Sequence, residues 1–258
     1  MSRFIDKLKK QSVSAPSPIG FRRALPTEAI PTILLVAGVT IDDAGSPINK
    51  IIGADAVLIF DEHDKLSTKM LPKMVKPLSD TPWGIFMEDC GNKSEAQADT
   101  GYDFIVTSPD CPISAVPQNE KTGKILQVES SMDNGLLRAT NDLPVDAVLA
   151  ADTFGESGTL VWHHLMILSN LAAMIRKPLI VPVPRTITGL ELKALWDAGI
   201  EAVVVPVDTA SGEDLKELHE IAVKLLPRAR KHGKADVILP HPSERPAQPP
   251  PEEGEEDD

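Results

Sequence analysis

Short apolar runs punctuate the chain at residues 32–39 (TILLVAGV), 56–60 (AVLIF), 83–87 (WGIFM), 103–107 (DFIVT), 124–129 (KILQVE), 146–151 (DAVLAA), 179–183 (LIVPV) and 202–207 (AVVVPV). Most are continuous rather than alternating and rich in Val, Ile and Leu, as expected of parallel strands covered on both faces. The last two enclose an amphipathic stretch, 188–198, that stops at Gly199, so together they spell a βαβ unit. Helical periodicity also falls at 67–75, interrupted by Pro72, weakly at 94–99, and at 132–141. Residues 45–52 allow only a short helix, and 109–122, with three prolines, only a turn or two.

Eight such runs, mostly separated by helical pattern, predict a closed (β/α)8 TIM-type barrel with some shortened helices. An open doubly wound sheet is the competing arrangement. It would normally carry a nucleotide loop after its first strand, whereas Ala37-Gly38-Val39-Thr40 contains neither GxGxxG nor GxxxxGK[ST]. In residues 1–10 (MSRFIDKLKK), Phe4, Ile5 and Leu8 share one helical face, and this helix is expected to cap the bottom of the barrel. The expected organisation is a helix and linker at 1–18, the barrel at 19–239, and a disordered Pro-rich, acidic tail at 240–258, with 235–239 able to add a short strand.

The stretch Thr159 to Ile175 (TLVWHHLMILSNLAAMI) is the longest helical pattern and is apolar nearly all round. A helix outside a barrel needs one buried stripe, so a second apolar face predicts a second partner, here a homo-oligomer. His163 and His164 are adjacent and therefore point apart, which favours packing over metal ligation.

Composition narrows the function classes. A net charge of −12 disfavours a nucleic-acid binder, since phosphate backbones reward clustered Lys and Arg. Cys90 and Cys111, the two cysteines, are too few for a disulfide framework, although they follow neighbouring strands. No apolar run reaches the roughly 20 residues of a membrane span, and no signal core precedes the barrel; the expectation is a cytoplasmic protein with no membrane partner.

In a barrel, chemistry sits where strands end, and those positions here are mostly acidic. Glu88, Glu129, Asp152 and Asp208 follow four different strands and could converge on a hard cation such as Mg²⁺, the cofactor this set would take. The alternative is solvated loop residues or helix caps. Glu88 also serves, with His63, as a candidate acid or base; His63 follows a strand end beside carboxylates, a setting that favours its charged form. Arg185 is the fixed positive charge at a strand end and the candidate clamp for a carboxylate or phosphate. Gly155, Ser157 and Gly158, just before the long helix, could offer backbone N–H groups to the same anion. A second helix start, Thr209 to Gly212, is read as a plain cap through Ser211 and Asp214.

The run Leu195-Trp196-Asp197-Ala198-Gly199-Ile200-Glu201-Ala202-Val203-Val204-Val205 resembles the last helix–strand passage of the phosphate-binding (β/α)8 barrels, a loose group that includes thiamine phosphate synthase, keto-deoxy-phosphogluconate aldolase and flavin-mononucleotide-dependent barrels. The resemblance implies phosphate held by glycine-rich turns after strands seven and eight. This chain has Val183-Pro184-Arg185 and Pro206-Val207-Asp208 at those positions, and no lysine at the later strand ends to match the aldolase's Schiff-base residue. Two functions remain in competition. One is a cation-assisted lyase or isomerase acting on a small anionic metabolite at the mouth. The other is a degenerate barrel used for binding or assembly.

Overall fold

The computed structural model describes residues 2–12, 32–40, 51, 53–60, 75–78, 80–87, 101–151, 153–154, 158–207 and 212–225. The chain groups into one unit, Met1–Arg228, and a second, Ala229–Asp258, that lies wholly outside the described residues. In the first unit eight parallel strands close into a barrel in chain order: β1 (Leu34–Thr40), β2 (Ala56–Phe60), β3 (Trp83–Met87), β4 (Phe104–Thr107), β5 (Gly123–Glu129), β6 (Ala147–Ala151), β7 (Leu179–Pro182) and β8 (Ala202–Pro206). Pairing of Leu34 with Ala202 and of Val36 with Val204 shuts the ring, which excludes the open sheet.

The described helices are α1 (Arg3–Ser12), α2 (Asn134–Ala139), α3 (Trp162–Met174), α4 (Gly189–Ala198) and α5 (Gly212–Lys224). Between β4 and β5 only a 3-10 turn, Ile113–Ala115, is present, as three prolines require. The expected helix at 132–141 shortens to α2, with Asp133 Oδ1 accepting from the Gly135 N–H at 2.7 Å, and continues as the 3-10 turn Thr140–Asp142. The long helix starts at Trp162 rather than Thr159, because Val161 is extended (φ −117°, ψ 164°) and acts as its cap. In α4, Thr188 Oγ1 accepts from the Glu191 N–H at 3.3 Å while Glu191 Oε2 accepts from the Thr188 N–H at 2.8 Å, a reciprocal capping box. Gly199 at φ 113° ends that helix in the left-handed region, where a Cβ would be strained. Residues 45–50, 67–74, 94–99 and 235–239, with their expected helices and strand, lie outside the described residues.

Alternation along each strand creates two cores. Leu35, Ala37 and Val39 of β1, with Val57, Ile85, Ile105, Val148, Val181 and Val203, face the helices. Leu34, Val36, Leu58, Phe104, Val106, Ile125, Leu149, Ile180 and Val204 fill the barrel, and there they meet Phe4, Ile5 and Leu8 of α1. The expected capping helix is thus a plug inserted into the amino-terminal end. Gly123 makes room for it: a Cβ there would collide with Ile5 Cγ1 and lie 2.9 Å from Ser2 Oγ.

Carboxylates hold the plug in place. Asp55, Asp103, Asp146 and Glu201 stand immediately before β2, β4, β6 and β8. Asp103 accepts from Ser2 Oγ (2.7 Å) and from the Arg3 and Phe4 N–H groups (2.8 and 2.9 Å), so it satisfies the otherwise open first turn of α1. Lys9 Nζ donates to Asp146 Oδ1 at 2.9 Å, and Lys7 Nζ donates to the Asp55 carbonyl at 3.1 Å. The remaining carboxylate oxygens stitch neighbouring strands: Leu35, Lys124 and Leu179 N–H groups donate to Asp55, Asp146 and Glu201 at 3.0, 3.1 and 2.8 Å. Burial pushes the Asp55 carboxyl above its ordinary value, and the Leu35 N–H, Lys7 and His219 only partly offset that. His219 Nδ1 on α5 lies 3.9 Å from Asp55 Oδ2, beyond hydrogen-bond reach.

Candidate functional site

With α1 in the amino-terminal end, the carboxyl ends of the strands are where a (β/α)8 barrel carries its site. The upper lining follows from the strand alternation. Phe60 and Phe86 sit above the inner core with ring centroids 5.4 Å apart, both half-buried. Gly38 leaves room for this layer, since a Cβ there would come within 3.2 Å of Phe60 Cε2 and 3.0 Å of Val204 Cγ1. On β5, Gln127 and Glu129 share the inward register of Ile125; Gln127 is half-buried and Glu129 is exposed.

Arg185, three residues past β7, is half-buried and lines a cleft of about 420 Å³ between the turn after β7 and α5. Thr186, Ile187, Thr188 and Gly189 form one side, and Glu217, Leu218 and Ile221 of α5 form the other. Arg185 is the one cation among the described lining residues. The first-turn N–H groups of α4, at Gly189 and Leu190, have no acceptor within the helix. Burial acts to raise the Glu191 carboxyl, but the Thr188 N–H, the Thr188 hydroxyl and the Leu160 N–H together hold it below its ordinary value. That carboxylate therefore stays ionised at the start of α4 and ties the segment before α3 to it.

Among the proposed metal ligands, Glu129 is the one within the described residues; its Oε2 accepts from Ser131 Oγ at 3.1 Å, a contact inside its own loop. Glu88, Asp152 and Asp208 lie outside the described residues, as do His63, Gly155 and Ser157. Among the described residues no group of three His, Cys, Asp or Glu side chains is arranged to hold a metal. Gly158 adopts φ 59° with open space where a Cβ would stand. His164 packs edge-on against Phe154 at 5.3 Å, and its Nδ1 accepts from the Val161 N–H at 3.3 Å, capping α3; His163 is exposed. His164 thus serves packing and capping.

Three features escaped the sequence reading. The Thr186 and Thr188 hydroxyls and the α4 start beside Arg185 are signalled by Arg-Thr-Ile-Thr-Gly directly after a strand. Gln127 follows from the inward register of β5. Cys111 is disulfide-bonded, and the only other cysteine in the chain is Cys90, outside the described residues. No described helix is long and apolar enough to cross a membrane.

No protein-family model matches the chain, and no curated protein sequence does. Among solved structures it is similar to the tryptophan synthase alpha-subunit of the hyperthermophile Pyrococcus furiosus, at 14% identity and a TM-score of 0.57. Two variants of that subunit give 15% and 0.57, and 14% and 0.58. Each comparison covers 74% of this chain and 98% of the other. At this identity the likeness establishes the (β/α)8 fold and nothing finer.

Proposed function

We propose that this barrel binds a small carboxylate- or phosphate-bearing metabolite beside its carboxyl-terminal mouth, with Arg185 as the principal contact, and performs lyase or isomerase chemistry on it. The observation that carries the reading is the Arg185 cleft. A guanidinium, the Thr186 hydroxyl and the first turn of a helix line one opening, and each favours an anion; the Thr188 hydroxyl is engaged by Glu191. Glu217 on the opposite wall gives the ligand a second recognition point, since a carboxylate accepts hydrogen bonds from hydroxyl or ammonium groups. The likeness in fold to tryptophan synthase alpha-subunits is analogy at the level of the barrel. His63 and Glu88 are the acid and base candidates of this proposal. Glu88, Glu129, Asp152 and Asp208 are its candidate Mg²⁺ ligands.

Isothermal titration with inorganic phosphate and with small phosphate esters and dicarboxylates, each with and without Mg²⁺, tests the reading. At least one probe should bind, and Arg185→Met should weaken it about tenfold or more, the cost of losing a charge-assisted contact. If no probe binds at millimolar concentration, or Arg185→Met leaves affinity unchanged, the reading fails and the non-catalytic assembly module takes its place.

A further inference from the structure

The outward face of α3 is unusual for a chain of this composition. Its thirteen residues, WHHLMILSNLAAM, contain no Asp, Glu, Lys or Arg, although charged residues make up 25% of the sequence. Leu168 and Leu171 are buried beneath the helix, which lies between α2 and α4. On the other side Trp162 is 83% exposed and Met166 69% exposed. Ser169, Asn170 and Ala173 continue the same stripe at helical spacing and are also exposed. Val161 (46%) and Leu190 (79%) extend it, because the Leu160 N–H held by Glu191 brings the segment before α3 against the first turn of α4.

We infer that this face packs on the same face of a second copy of the chain, forming a two-fold dimer. Three arguments select that occupant. First, side chains of these sizes and exposures present roughly 500 Å² of apolar surface per copy, so two faces remove on the order of 1,000 Å², the lower bound for a specific interface. Second, each copy carries a net charge of −12, so close approach of two copies is least opposed where the surface carries no carboxylate, as on α3. In a two-fold interface residues near the axis meet their own counterparts, and charges there would repel. A charged protein partner would need complementary charge, and an anionic membrane would need Lys or Arg; α3 offers neither.

Third, the stripe is self-complementary in size. With two α3 helices antiparallel, Trp162 lies against the second copy's Ala173, and Met166 against its Ser169. Large residues on each helix then meet small ones on the other, the arrangement that lets helices approach closely. Trp162 is the anchor, present twice.

Sedimentation velocity of the full chain between 1 and 100 µM, concentrations taken as roughly the working range for interfaces of this size, is the test. The expected species is a dimer of the 27.8 kDa chain. Trp162→Ser with Met166→Ser should raise the dissociation constant at least about 1,000-fold, since each substitution removes an anchor from both copies. Ala173→Glu, at an exposed position where the monomer tolerates a charge, should give monomer with the wild-type circular dichroism. A wild-type chain that is monomeric throughout, an assembly larger than two, or a dimer that survives both variants overturns the inference.

Discussion

Replacing Asp103 with Asn tests how the plug is held. The carboxylate is 12% exposed and accepts three hydrogen bonds at 2.7, 2.8 and 2.9 Å, two of them from the first turn of α1. Asn keeps one acceptor and puts an NH₂ group where the other stood, so at least one N–H of α1 faces a donor. Hydrogen bonds to a charged group contribute about 1.5–3 kcal/mol each, and the charge at the helix start about 0.3–1 kcal/mol more. The Arg3 side chain, 59% exposed and 3.9 Å away, adds little. A loss of about 2–4 kcal/mol follows, with the damage localised to α1. Urea denaturation followed by circular dichroism measures the loss, and amide hydrogen exchange at Phe4 to Leu8 locates it. Asp110→Asn, at an exposed loop position, is the control. A loss below about 0.5 kcal/mol, or α1 amides exchanging at the wild-type rate, would falsify the anchoring role.

The other predictions probe neighbouring features. Gly123→Ala drives a methyl group into Ile5 and should cost about 1–3 kcal/mol, read as a lower urea midpoint together with faster exchange in α1. Because burial raises the Asp55 carboxyl, its contribution to stability is fully present below 3.8 and is lost as pH rises through the raised value; Asp55→Asn should flatten that decline in a series of urea midpoints. Glu191 has the opposite sign: its contribution is present above 4.5 and lost as pH falls through its lowered value, and Glu191→Gln should remove that loss. At pH 7 the same substitution should cost about 0.5–1 kcal/mol, a capping-box magnitude reduced for solvent screening. Intact mass after alkylation should show no adduct without reductant and two with it. Two adducts on unreduced native protein would contradict the bonded state.

Much of the barrel was legible in the chain because strand and helix periodicities are local. The continuous Val, Ile and Leu runs mark strands buried on both faces, and Thr188, Glu191 and Gly199 mark both ends of α4 without reference to anything distant. Phe4, Ile5 and Leu8 likewise announced a capping helix, though not that it enters the barrel. The carboxylates before alternate strands were not legible. An acid ahead of a strand reads as solvated until closure brings Asp103 and Asp146 under the same helix. The long helix was read three residues too early because Leu160 and Val161 are apolar, and apolar character alone carries no sign of the extended Val161 backbone. Arg185 was identified from its place at a strand end, but its neighbours across the cleft come from α5, about thirty residues downstream. The cysteines were placed after adjacent strands, yet spacing alone does not report an oxidised pair.

The plug also has a consequence in time. Residues 3–12 leave the ribosome well before the strands they close: Asp103 lies 101 residues beyond Ser2, and Asp146 lies 137 beyond Lys9. A helix of ten residues is marginal alone in water, so α1 has nothing to fold against until β6 is complete. Contacts formed that late contribute little to the folding transition state. Substitutions in α1 should then accelerate unfolding while leaving the refolding rate nearly unchanged. Until α1 docks, an apolar vestibule lined by Leu34, Leu58, Phe104 and Ile125 stands open at the base, and it is there that a nascent chain of this protein would be open to capture by a chaperone.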